Sequence, residues 1–338
     1  MKSLRNRRWV GIVALGLSCA VSPAVTFVVT NANDTGPGSL RQALLDANAA
    51  PGADLIQFNL PGSGVRTLAP LTPLPLITNS LTIDGYSQPG SSPNTLANSN
   101  NAVLLIRLDG VNLTNGFPDG LSFENAGNNT VRGLVIVRFY TGIQLDASSG
   151  NTIAGNWIGL DVDGISRGNL GTGVDVSSAG FNRSTCNMIG GTTPADRNVI
   201  SGNREGISFF PNTADHNFVQ GNFIGTDATG ALPRGNLFEG IMVQSATDIV
   251  IGGATPGARN LICANGTGVS LLGSSRDVVQ GNFIGTDVIG HYDLGNTGDG
   301  IVVQGCSLTS IGVANAGNLI ANNSGYGIFL LGSDTDGP

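Results

Sequence analysis

Ionisable residues gather in three glycine-bounded stretches of this chain. The first carries Asp161, Asp163 and Arg167, the second Asp227, Arg234 and Glu239, and the third Asp287, His291, Asp293 and Asp299. Paired carboxylates can serve as acid and base on a glycosidic bond. Arg234, Glu239, His291 and Asp293 do not recur from stretch to stretch and are the candidate catalytic set. Asp161 and Asp163 alternate on one loop, where their oxygens could hold a hard cation such as Ca²⁺. The competing reading is structural. Asp161, Asp227 and Asp287 occupy equivalent places, as side chains that cap their own turns do. Copies in alternate coils would lie about 10 Å apart. That exceeds the roughly 5–5.5 Å of retaining glycosidases and slightly exceeds the inverting range.

The frame that must position these residues is a repeat. Gly155-Asn156-Trp157-Ile158-Gly159 returns as Gly221-Asn222-Phe223-Ile224-Gly225 and as Gly281-Asn282-Phe283-Ile284-Gly285. Ile189-Gly190-Gly191 returns as Ile251-Gly252-Gly253, and Arg197-Asn198-Val199-Ile200 as Arg259-Asn260-Leu261-Ile262. Each coil opens with Gly and then alternates apolar residues, as in Gly206-Ile207-x-Phe209 and Gly240-Ile241-x-Val243. Period-two alternation over so short a run predicts a half-buried strand. Three such strands per coil cannot bury their apolar faces alone, so coils must stack. The reading is all-β: a right-handed single-stranded parallel β-helix, with glycines and asparagines at the corners where positive φ is needed. Asn156, Asn198, Asn222, Asn260, Asn282 and Asn318 are expected to stack as a ladder of side-chain amides.

Two coil types alternate. One has its long loop after the third strand (159–172, 225–239, 285–299), the other between the second and third (190–199, 252–261, 312–319). Parity also sends one apolar row outward: Trp157, Val199, Phe223, Leu261, Phe283 and Leu319. Either loops cover that row, or Trp157, Phe223 and Phe283 form an exposed strip for sugar stacking or self-association.

The ends read differently. Lys2, Arg5, Arg7 and Arg8 precede an apolar stretch, Trp9 to Ala20, with small residues before a cleavage point at Ala24. That layout is a secretory signal peptide, with an apolar stretch too short to favour a membrane span. Twin-arginine export at Arg7-Arg8 and a lipobox at Cys19 are poorer fits. Beyond residue 24 the chain has 12 Arg, no Lys and 23 acids, a net charge of −11. Such a surface disfavours nucleic acid and anionic membranes. Cys186, Cys263 and Cys306 are odd in number and widely spaced, unlike a disulfide framework. Ser39-Leu40-Arg41-Gln42 predicts a capping box, and Leu40, Ala43, Leu44 and Ala47 one face of a short helix that plugs the first coil. The organisation expected is a leader over 1–24, a capping strand and helix over 25–60, and the β-helix over 61–338, breaking off in mid-coil after Leu330.

The segment from Thr30 to Ala43 resembles the N-terminal module of bacterial secreted right-handed β-helix repeat proteins, and the Gly-Asn-x-Ile-Gly-Thr-Asp and Ile-Gly-Gly units resemble their repeats. The resemblance implies the pectin-lyase-like fold and an extracellular or surface setting. It is weak on activity, because this fold hosts lyases, hydrolases, adhesins and stalks. The Asn-Thr-Asp, paired Asp, Gly-His-Gly and Arg-Ile-Lys motifs of polygalacturonase-like enzymes are missing, and Gly290-His291-Tyr292 is only a fragment of one. The expected function is a secreted or cell-surface module that binds a glycan or surface partner, or acts as a spacer. The alternative is a lyase or glycoside hydrolase acting on acidic polysaccharide.

Overall fold

The computed structural model describes residues 23–178, 180, 182–210 and 214–332. The expected leader lies outside them up to residue 22, as does the end of the chain after Gly332. Among the described residues, parallel strands stack into three sheets of ten, nine and eight strands, and the chain visits each sheet in turn. This is the right-handed parallel β-helix. The first sheet runs from Thr26–Val29 to Ser310–Ile311, the second from Arg66–Leu68 to Leu319–Ile320, and the third from Leu121–Glu124 to Ile328–Leu331.

Register follows the repeat. Ile153 pairs with Ile189 and Ile189 with Val219 in the first sheet; Ile158 pairs with Ile200 and Ile200 with Ile224 in the second. In the third, Ile207 pairs with Ile241 and Phe209 with Val243. All these side chains are buried in one continuous core. Each inward residue therefore meets its own kind one coil away, and burial drives stacking.

The expected asparagine ladder is present, for example Asn198 Nδ2 to Asn222 Oδ1 at 2.9 Å and Asn260 Nδ2 to Asn282 Oδ1 at 2.9 Å. Two further ladders occupy the other corners. One runs Asn129–Asn151–Asn187–Asn217, the other Asn169–Asn203–Asn236–Asn265–Asn296–Asn323. Their side chains also bond backbone carbonyls, as Asn236 Nδ2 does with Ile200 O at 3.1 Å. The turns thus satisfy most of the polar groups they bury, Asn323 Nδ2 at the end of the last ladder being an exception. The glycines divide into two kinds. Gly225 needs its positive φ of 92°. The strand-opening glycines do not: a Cβ on Gly206 would lie 2.3 Å from Gly240 O, so close approach of the next coil selects glycine there.

At the N-terminal end, the helix Leu40–Ala49 buries Leu40, Ala43, Leu44 and Ala47 against the first coil. Only half of the expected capping box forms. Ser39 Oγ accepts from Gln42 N at 3.2 Å, but Gln42 Nε2 turns away to Asp46 Oδ1 at 2.8 Å. The nearby i,i+4 acceptor wins the side chain. No helix of the described residues is long and apolar enough to cross a membrane.

Candidate functional site

The expected cation site does not fit a metal. Arg167 lies between the two carboxylates, with Nη1 2.5 Å from Asp161 Oδ2 and Nη2 2.8 Å from Asp163 Oδ2. Arg107 Nη1 also reaches Asp161 Oδ2 at 2.6 Å. Arg138 adds a pair to Asp109, so three guanidinium groups neutralise three carboxylates. The hydrogen bonds from Arg167 hold the Asp163 carboxyl below its ordinary pKa. Guanidinium charge occupies the place a cation would take. Asp227 and Asp287 cap their own turns, accepting from Leu232 N at 3.1 Å and from His291 N at 2.7 Å.

The four candidate catalytic residues do not converge: among the described residues no hydrogen bond or ion pair joins any two of them. Arg234 ties its loop to the preceding one through Gly164 O at 2.8 Å. His291 and Asp293 are exposed on a loop, where Asp293 accepts from Gly295 N. Glu239 opens a strand of the third sheet, Glu239–Gln244. Loop equivalence placed all four in one loop row, but Glu239 begins a strand, and loops one period apart have no reason to close on a common point.

Of the two readings of the outward apolar row, cover by loops is the one found at Trp157 and Phe223. Trp157 and Phe223 are buried and Phe283 half-buried, packed with Leu160, Val199, Leu261 and Leu294 in a second hydrophobic cluster. Two sets of residues cover it. The long loops contribute Ala228 and Val288, and an excursion over 85–105 contributes Leu104, Ala102 and Tyr86. That excursion is bolted down: Arg197 donates to the carbonyls of Leu96, Ala97 and Ser99 at 3.0, 2.7 and 2.6 Å, and stacks 4.3 Å above Phe223. Burying apolar area this way removes a surface that water disfavours.

The outer side of the third sheet is polar in its earlier coils, part-exposed at Ser122 and Gln144 and buried at Asp175 and Ser208. Outward residues there pair in register as Ser122–Gln144–Asp175–Ser208. Asp175 accepts from Gln144 Nε2 at 2.7 Å and from Ser208 Oγ, and Gln144 also reaches Ser177 Oγ at 2.7 Å. Asp119 accepts from Ser122 Oγ at 2.9 Å. Burial pushes the Asp175 and Asp119 carboxyls up, against the hydrogen bonds that pull them down, and Asp119 adds repulsion at Asp175. The Glu205 carboxyl is raised too, by burial first and then by the charge of Glu239. Perturbed carboxyls grouped on one face mark a candidate site.

Two depressions end this face. One of about 310 Å³ is lined by Leu74, Phe117, Asp119 and Ser122; the other, of about 320 Å³, by Glu124, Asp146, Ser178 and Asn182. Along the edge, backbone bonds between successive turns (Tyr140 N to Pro118 O, Leu170 N to Phe139 O, Phe238 N to Arg204 O) line up an apolar rim. Phe117 is 77 % exposed and packs edge-on against Tyr140 at 4.7 Å; Leu170, Leu237 and Phe238 continue the exposed row. Only Glu239 of the sequence candidates belongs here. The rest was missed, although outward parity from each opening glycine picks out Ser122, Gln144, Asp175 and Ser208 directly.

No protein-family model and no curated protein matches the chain. Solved structures with a similar course include the mannuronan C-5 epimerase A-module AlgE6 of Azotobacter vinelandii, at 14 % identity and TM-score 0.42, covering 91 % of this chain and 100 % of that one. The pectate lyase Pel9A matches at 13 % identity and TM-score 0.43, over 94 % of this chain and 80 % of its own. PfbA, a surface adhesin of Streptococcus pneumoniae, matches at 11 % and TM-score 0.31, over 90 % and 93 %.

Proposed function

We propose that this is an exported or cell-surface β-helix that binds a neutral polysaccharide across the outer face of its third sheet. The observation that carries the reading is the rim of exposed Phe117 and part-exposed Tyr140 beside the part-exposed hydrogen-bonding side chains of Ser122 and Gln144. Sugars present apolar C–H faces to aromatic rings and hydroxyls to carboxylates and amides, which is the chemistry of such an edge. The acids Asp119, Glu124, Asp146, Glu205 and Glu239 disfavour an acidic polymer on the same surface. A neutral chain is therefore preferred to the acidic polysaccharide of the alternative reading.

Raised carboxyls also suit a hydrolase, and that is the second reading. It ranks lower on geometry. Asp175 lies on a strand two coils beyond the strand that Asp119 precedes, about 10 Å along the stack, just beyond the roughly 6.5–9.5 Å of inverting enzymes. Asp175 is moreover buried and fully engaged by Ser208 and Gln144.

The test is native electrophoresis through gels containing neutral glucans, xylans or mannans, with pectate as the acidic comparison. Retardation by a neutral polymer, weakened about tenfold in affinity by Phe117→Ala, is the expected result. Equal retardation by pectate, or none by any neutral polymer, would sink the binding reading. Release of oligosaccharides that is lost in Asp175→Asn would move the second reading to the front.

A further inference from the structure

The repeat contains one site twice, once filled and once open. In the filled copy, Arg197 Nε bonds Gly221 O at 3.2 Å, its backbone N–H closes the turn onto Pro194 O at 3.3 Å, and its guanidinium lies 4.3 Å above Phe223. In the other copy, Arg259 Nε bonds Gly281 O at 3.3 Å, its N–H closes onto Pro256 O at 3.3 Å, and its guanidinium lies 4.0 Å above Phe283. Strand register completes the equivalence, Val199 beside Phe223 and Leu261 beside Phe283. The next period has Gly317 at this place and no guanidinium.

The difference is what lies on top. Over Arg197 the turn from Leu96 to Ser99 supplies three carbonyls, and Asn94 Nδ2, which also holds Leu96 O and Ser99 O, adds a bond to Pro194 O at 2.9 Å. Arg197 is buried there with no carboxylate partner, so carbonyl dipoles alone solvate its charge. Over Arg259 nothing sits: neither Nη atom has a partner among the described residues, and Arg259 and Phe283 stay half-exposed. A shallow cleft runs on from Ala97 and Asn98 past Pro256 to Val288, joining the two copies.

We propose that the Arg259–Phe283 cleft is a docking site for an uncharged polypeptide turn of another chain, held as the Leu96–Ser99 turn is held in the filled copy. The occupant offers backbone carbonyls to the fork of Arg259 and a small side chain to the cleft between Pro256 and Val288. A planar guanidinium with its face on a ring and its edges free is preorganised for this, and Lys is not an equivalent. The docking site lies on the second sheet and does not depend on the glycan reading of the third.

A labelled peptide with the sequence of residues 93–101 is the probe, titrated into the folded protein and followed by fluorescence anisotropy. Saturable binding is expected, weakened about tenfold or more by Arg259→Ala and also weakened by Arg259→Lys. Thermal melting of each variant confirms that it folds; Arg259→Lys serves where the alanine variant does not. The proposal is overturned by no saturable binding up to about 5 mM peptide, or by binding that both variants leave unchanged. Displacement of the peptide by acetate, phosphate or a neutral oligosaccharide at comparable concentration would also overturn it, because the cleft would then be an anion or sugar pocket.

Discussion

The outer faces of the second and third sheets are built on one pleat and end up opposite in character. On the second, outward residues repeat as large apolar groups (Trp157, Val199, Phe223, Leu261), and loops bury them. On the third, outward residues do not repeat in kind (Ser122, Gln144, Asp175, Ser208, then Met242, Ser270, Val302), and Ser122 and Gln144 stay part-exposed while Asp175 and Ser208 are buried. The lesson is that a regular outward row in a solenoid is a packing surface, whereas irregularity marks the face available to a partner. Large apolar patches left to water are rare, so a repeated one calls for a cover.

The largest effect that can break this comparison is at Phe223. If its face is a second core, Phe223→Ala should cost about 3–4 kcal/mol, read as a large drop in melting temperature. Phe117→Ala on the third sheet should leave stability within about 0.5 kcal/mol. Equal effects at both positions would dissolve the distinction between the faces.

Much of the second face was legible in the sequence, because parity and period identify its members without coordinates. Its cover was only half legible. The long loops announce themselves by the repeat, but the 85–105 excursion does not recur, and nothing local shows that Leu96, Ala97 and Ser99 fold onto Arg197 some hundred residues later. The third face was hidden for the same reason in reverse. Searching for recurrence favours Asp161, Asp227 and Asp287, and such residues serve the turn that recurs with them. Asp175 has neighbours in space from the coils on either side, and only the stacking register brings Gln144 and Ser208 to it.

The asparagine ladders join the faces, and they supply the intermediate effect. Asn236 has its Oδ1 on Asn203 N at 3.0 Å and its Nδ2 on Asn265 Oδ1 at 2.9 Å, all buried. Asn236→Ala leaves those partners unsatisfied and should cost about 1–3 kcal/mol, measured by denaturant unfolding. A change below about 0.5 kcal/mol would mean that water replaces the amide and that the corner beneath the third sheet is not sealed as the one beneath the second is.

The smallest effect concerns the one ladder that an acid interrupts. Asp277 stands two coils beyond Asn217 and accepts from Ile249 N at 3.0 Å through Oδ1, while its Oδ2 is buried without a partner. Burial raises this carboxyl from 3.8 to about 6. The folded state thus binds a proton that the unfolded chain has released, so stability is fully present below about 3.8 and declines as pH rises through about 6. The raised carboxyls of Asp119, Asp175 and Glu205 act in the same direction. The Arg-paired carboxyls Asp163 and Asp248 oppose it, losing their contribution as pH falls from about 3.8 through their lowered values. Asp277→Asn replaces the buried charge with the amide found at Asn151, Asn187 and Asn217, and offers the orphan position a donor. It should stabilise the protein at pH 7 by about 1–2 kcal/mol and have less effect at pH 5. Unfolding of both proteins across that range reads the difference. A variant destabilised equally at both pH values would show that the acid holds its place through its charge, and that the ladder tolerates charge as the outer face of the third sheet does.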